Sequence, residues 1–157
     1  MPIYMKYGTI KGQSKAVGHQ GWIELESAQL GGGRNVTTGT SASRDGSARP
    51  PDDIVVSKRQ DSSSTLLIRE SLQGEGTEVV IDFMPTTARK PGEAPRSYLS
   101  ITLKNCLISS YSISGHGGDT HGRPMESLSL NCTSISYTTN QEFDLAAFLR
   151  SFGLPVP

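Results

Sequence analysis

No stretch of this 157-residue chain has the roughly 18–20 consecutive apolar residues of a membrane-spanning helix. The opening MPIYMKYGTIKG lacks the charged-then-apolar order of a secretory leader. The chain is therefore expected to be made and folded in the cytoplasm, with any export using a route that needs no cleaved leader. An excess of one charge is missing too. The 15 Lys and Arg match 15 Asp and Glu, so no overall field draws the chain to nucleic acid or an anionic membrane. Neither is an expected partner, and no membrane insertion is expected. Cysteine is scarce. Cys106 and Cys132 are read as two reduced, partly buried thiols, with a regulatory bridge as the alternative.

Established chemical motifs are also missing. No serine stands in a G-x-S-x-G elbow, and neither Gly31–Gly33 nor Gly115–Gly118 belongs to a G-x-x-x-x-G-K-[ST] loop. Hydrolase chemistry and phosphate binding are unsupported, and no catalytic residue or cofactor is assigned. Glu75, Glu78 and Asp82 lie close in sequence. Glu78 and Asp82 are read as the solvated face of a strand whose other face is Val79, Ile81 and Phe83.

What the chain does have is strand periodicity. The clearest case is a long hairpin from Tyr98 to Tyr137 with SGHGGDTHG at its tip. In the first arm Leu99, Ile101, Leu103, Leu107, Tyr111 and Ile113 share one parity, while Ser100, Thr102, Lys104, Ser110 and Ser112 take the other, as in a half-buried strand. In the second arm Leu128, Leu130 and Cys132 share a parity that then moves to Ile135 and Tyr137, which predicts a bulge or bend near Thr133 and Ser134. The two cysteines are nearly equidistant from the tip at Asp119 and are placed to face each other across the arms. The tip glycines are expected to supply the positive φ values of a hairpin connection.

Strands are also predicted over Ile3–Ile10, Trp22–Ala28, Ile54–Lys58 and Glu78–Met84. One short helix, about 62–73, follows the N-capping oxygens of Asp61–Ser63, with a stripe of Leu66, Leu67 and Leu72 and a left-handed Gly74 at its end. Residues 31–53 form a long Gly, Ser, Thr and Pro loop, and loops of this length are functional or disordered. Its arginines Arg34, Arg44 and Arg49 are read as solvated loop charges. Leu145, Phe148, Leu149 and Phe152 fall at i, i+3, i+4 and i+7, an amphipathic helix closed by Gly153 and Pro155. At that length its apolar face must dock, on its own barrel or on another subunit.

The tip histidines raise one chemical possibility. His116, Asp119 and His121, with His19 elsewhere, have ligand atoms but neither an established zinc spacing nor a rigid element to hold them. No metal is assigned.

The ordered set of segments resembles the Hcp family, the haemolysin-coregulated proteins of the bacterial type VI secretion system. The resemblance is carried by YLSITLKN, LISSYSISG leading to the glycine-rich tip, and the return ESLSLN to ISY. IYMKYGTIKGQSK with a following histidine and the strand-helix step SKRQDSSSTLLIRESLQG support it. It covers nearly the whole chain to about Gln141. It implies a mainly β protein, an antiparallel β-barrel over 1–141 with one flanking α-helix, followed here by a helical tail over 142–157. Six copies would form a ring, and rings would stack into a tube exported with effector proteins, with sheath and tip proteins as further partners. The loop positions Arg34, Arg44 and Arg49 become candidates for ring stacking, and Leu145, Phe148, Leu149 and Phe152 for a tail contact on or beside the ring. Two other readings compete: a monomeric β-barrel binding module, and a metal-dependent enzyme built on His116, Asp119 and His121.

Overall fold

The computed structural model describes residues 1–31, 53–86, 95–118, 122–139, 150 and 152–153. Its elements are β1 (Ile3–Tyr7), β2 (Ile23–Leu25), β3 (Ser27–Gln29), β4 (Ile54–Arg59), α1 (Ser64–Gln73), β5 (Thr77–Phe83), β6 (Leu99–Ser114), β7 (Met125–Asn131) and β8 (Ser134–Thr139). All strand pairs are antiparallel. Most are built as their alternation predicts. In β1, Ile3, Met5 and Tyr7 point inward, and so do Val79 and Ile81 in β5. These side chains, with Ile101, Leu103, Leu128 and Leu130, form one continuous apolar core, the main source of folding free energy at about 25 cal/mol per Å² buried.

The strands follow the order β2-β1-β5-β6-β7-β4-β3, with β8 on β6. The predicted strand Trp22–Ala28 is two strands. β2 pairs with β1 and β3 with β4, and the chain crosses between them at Glu26, whose N–H donates to the Ser57 carbonyl at 2.8 Å. That step links the two ends of the strand path and closes the barrel. β6 is shared: its first part pairs with β5 and β8, its second with β7.

Leu107 departs from the predicted face. It is 43% exposed, while Cys106 and Ile108 are buried. The cause is Asn105, which adopts a left-handed φ of 50°. It puts two outward residues in succession and reverses the parity; a second irregularity between Ile108 and Ser110 restores it, so Tyr111 turns inward again. The bend expected at Thr133 is the break between β7 and β8.

The helix also differs in its details. Ser63 occupies the N-cap without a side-chain capping bond. Gly74 is extended (φ −70°, ψ 151°) rather than left-handed. Its N–H reaches the Glu70 carbonyl at 2.8 Å, and a Cβ there would lie 2.4 Å from that oxygen. Of the leucine stripe only Leu67 is buried; Leu66 and Leu72 are exposed. At the hairpin tip Gly115, Gly117 and Gly118 do not take positive φ, contrary to expectation.

Between β1 and β2 the chain folds back on itself. Gly12 donates to the Gly21 carbonyl, and Ser14 donates to that of Trp22. A Cβ on Gly12 would sit 2.3 Å from the Trp22 carbonyl oxygen and 2.6 Å from the Ile23 Cα. Gly12→Ala is expected to cost about 1–3 kcal/mol of stability in urea unfolding, since the backbone itself must move. A loss below about 0.5 kcal/mol would show that the loop yields freely.

The buried Cys106 thiol is pushed up from 9.0 to about 12, first by burial and then by the neighbouring Cys132. The folded chain thus keeps a proton that the unfolded chain gives up. The resulting stabilisation is complete below pH 9 and is lost as pH rises towards 12. Cys106→Ala should flatten the alkaline limb of the stability curve by about 4 kcal/mol over that window. Parallel limbs for the two proteins would refute this.

Candidate assembly surfaces and the buried charge cluster

The exposed edges of the barrel follow from the sharing of β6. Along its first part β6 has β5 on one side and β8 on the other. β8 pairs with no second strand among the described residues. On the opposite side, pairing with β5 ends at Cys106, and β6 continues to Ser114 with β7 as its strand partner among the described residues. Two strand edges thus face in opposite directions. Apolar side chains lie along both: Tyr137 on β8 is 57% exposed, and Ile113 on β6 is 56% exposed. Tyr137 stands directly opposite the buried Ile101, so its face continues the core outward.

Inside the barrel lies a charged cluster. Lys58 is fully buried, and its Nζ donates to Glu126 Oε2 at 2.6 Å, Asp61 Oδ1 at 2.9 Å, the Arg59 carbonyl at 2.9 Å and Ser64 Oγ at 3.2 Å. Glu126 also accepts from Ser64 Oγ at 2.7 Å and from the Tyr111 hydroxyl. Burial and this bond to Glu126 raise the Tyr111 phenol above its ordinary range. Asp61 in turn accepts from the Ser63 N–H at 2.9 Å and the Ser63 hydroxyl at 2.5 Å. The cluster joins β4, β7, β6 and the start of α1, so the helix is seated on the barrel by charge as well as by Leu67. Every charged group in it is engaged by another.

A second cluster holds the β1–β2 loop. His19 stacks on Tyr4 and meets Trp22 edge-on. Its Nε2 lies 2.7 Å from Asp82 Oδ2, while Ser100 Oγ donates to Asp82 Oδ1 at 2.5 Å. Asp82 is therefore largely covered, which corrects its reading as a solvated carboxylate. The carboxylate lies between serine and histidine, so the imidazole does not reach the hydroxyl and no activated nucleophile results. Glu78 is exposed and pairs with Lys104, as a strand's polar face should.

The profile of the family described as "Type VI secretion system effector, Hcp" matches residues 4–138. The chain belongs to the Hcp family. It is a structural tube protein of type VI secretion, and self-association and secretion come with that membership. The fold is similar to that of a type six secretion system protein, with a TM-score of 0.74 and 21% identity over 87% of this chain and 82% of that one. It is also similar to the Hcp1 protein from E. coli EAEC 042 (TM-score 0.68, 19% identity, 90% and 93% covered) and to a type VI secretion system effector from Yersinia pestis (0.65, 17%, 90% and 92%). No curated protein matches the chain in sequence.

In this Hcp chain the candidate stacking residues Arg34, Arg44 and Arg49 lie outside the described residues, but the ends of their loop are placed. The loop leaves from β3 and returns into β4, adjacent strands paired at Gln29 and Val55. Its returning end is pinned by Asp53, which accepts from Ser109 Oγ at 3.0 Å and Asn131 Nδ2 at 2.8 Å. Of the tail residues, Leu145, Phe148 and Leu149 lie outside the described residues, and Phe152 is exposed. Gly153 takes a φ of +68°, and its N–H donates to the Arg150 carbonyl at 3.1 Å. His116 is exposed, and Asp119 and His121 lie outside the described residues. Among the described residues no group of three His, Cys, Asp or Glu is placed to hold a metal ion, and no helix is long and apolar enough to cross a membrane.

Lys58 and Glu126 were not singled out from sequence, though a signal exists. Each sits at the inward parity of its strand, after Ile54 and Val56 in one case and before Leu128 and Leu130 in the other. Opposite charges at two inward positions are the signature of a buried pair.

Proposed function

We propose that six copies of this chain join head-to-tail into a ring, and that rings stack into the inner tube of a type VI secretion apparatus and are exported through it. The observation that carries the reading is the pair of oppositely directed edges, β8 on one side of β6 and the far part of β6 on the other. A contact between two different surfaces of one chain is heterologous, and repeated rotation closes it into a ring. Unpaired edges in a soluble β protein invite uncontrolled association unless an assembly covers them. The loop carrying Arg34, Arg44 and Arg49 supplies the stacking contact to the next ring, and the tail with Leu145, Phe148, Leu149 and Phe152 packs on or beside the ring. Effector proteins travel in the lumen or at the tip, inside a sheath, with the subunits held in the cytoplasm before firing. The role is structural rather than catalytic.

Light scattering followed by negative-stain imaging of the purified protein tests this. Annular particles with six times the chain mass are expected; monodisperse monomers at high concentration would defeat it.

A further inference from the structure

Cys106 and Cys132 lie where the two pairings of β6 meet. Lys104 pairs with Ser134 on one side of that point and Leu107 with Asn131 on the other. Two residues of β6 and two of the returning chain fill the gap, so Cys106 falls opposite Cys132. Both are buried and belong to one core cluster, so their side chains enter the same interior. Both are free thiols. Directly opposed residues of an antiparallel pair hold their Cβ atoms about 4.5–5.5 Å apart, and a disulfide asks for about 3.5–4.5 Å. The small approach required falls where the backbone is already irregular, between left-handed Asn105 and the β7–β8 break.

We propose that Cys106 and Cys132 are a latent intramolecular staple, a dithiol in the cytoplasm and a disulfide once the chain has left it. The chemistry stands on this geometry alone; only its setting outside the cell rests on the export reading. The oxidant is a small disulfide such as oxidised glutathione. Cys132, the less buried of the two, loses its proton and attacks one oxidant sulfur, expelling a glutathione thiolate. Deprotonated Cys106 then attacks Cys132 Sγ and expels the second glutathione. The two cysteines are oxidised by two electrons, the oxidant is reduced to two thiols, and the two protons pass to the departing thiolates. Burial raises both thiols above their ordinary range, so few thiolates form near neutral pH and closure is slow in the folded chain. The bond ties β6 to the β7–β8 junction, the point at which the two parts of the barrel share a strand.

The test exposes the purified full-length protein to oxidised glutathione in two arms, one kept folded and one unfolded in urea and then refolded in the same redox buffer. The readouts are thiol titration under denaturing conditions, intact mass, non-reducing electrophoresis and thermal melting. Loss of both thiols, a mass decrease of about 2 Da without bound glutathione, no dimer, and a melting temperature raised by about 5–10 °C and restored by reductant would support the staple. Closure in the refolding arm alone also supports it and identifies burial as the kinetic barrier. Two free thiols in the refolding arm, a disulfide-linked dimer, or an oxidised chain that melts below the reduced one would overturn it. Cys106→Ser and Cys132→Ser, each left with a single thiol, should stop at a mixed disulfide with no rise in melting temperature, and a rise equal to the parent's in either variant would overturn the staple as its cause.

Discussion

Lys58→Met is expected to lower the stability of the folded chain by about 3–5 kcal/mol, the cost of leaving a buried charge without its partner. The substitution keeps side-chain volume but removes the ammonium group that meets Glu126 at 2.6 Å and Asp61 at 2.9 Å. Glu126, itself fully buried, would keep only hydroxyl donors, from Ser64 and Tyr111. Two hydrogen bonds from uncharged hydroxyls do not replace the ammonium as the counter-charge of a buried carboxylate. The double variant Lys58→Met/Glu126→Leu should recover most of the loss, because it removes both desolvation costs. Urea unfolding of the two single variants and the double variant measures the coupling directly. A single variant within about 1 kcal/mol of the parent would show that the cluster relaxes or takes in water.

Tyr137→Asp is expected to leave the subunit folded and abolish the ring. Tyr137 is more than half exposed on β8, whose outer edge has no strand partner among the described residues, and aromatic side chains at interface centres carry about 2 kcal/mol or more each. That is roughly a 30-fold loss at a single contact, and a closed ring repeats the contact around its circumference. Far-ultraviolet circular dichroism and thermal melting should stay close to those of the parent, while light scattering shows monomers. Rings that persist at parental concentrations would place the subunit contact elsewhere on the barrel.

These two variants separate what sequence pattern makes visible from what it does not. The alternation of Ile3, Met5 and Tyr7, of Val79 and Ile81, and of Leu128 and Leu130 was readable because a half-buried strand repeats every two residues. The family resemblance rested on the same segments, and the profile match over residues 4–138 agrees with it. Leu107 was misplaced because the parity rule assumes regular backbone, whereas Asn105 in a left-handed conformation reverses the faces of the next residues until the irregularity between Ile108 and Ser110 restores them. Asp82 was read as solvated because nothing near it in sequence covers it; its partner His19 is 63 residues away. The role of Glu26 as the crossing between sheets left no mark, since β2 and β3 read as one alternating run.

By itself, then, the sequence determined most of the strands and the helix after Asp61, the inward faces of most strands, the placing of Cys106 and Cys132 across one hairpin, and the family. All of these depend on neighbours a few residues apart or on the order of segments. Only the tertiary structure decided that β6 belongs to both parts of the barrel, that β8 has an open edge among the described residues, and that Lys58 meets Glu126 from 68 residues away. Those outcomes depend on which strands pair. Strand pairing is settled by the closure of the whole barrel around its core, a long-range condition that no local pattern of side chains records.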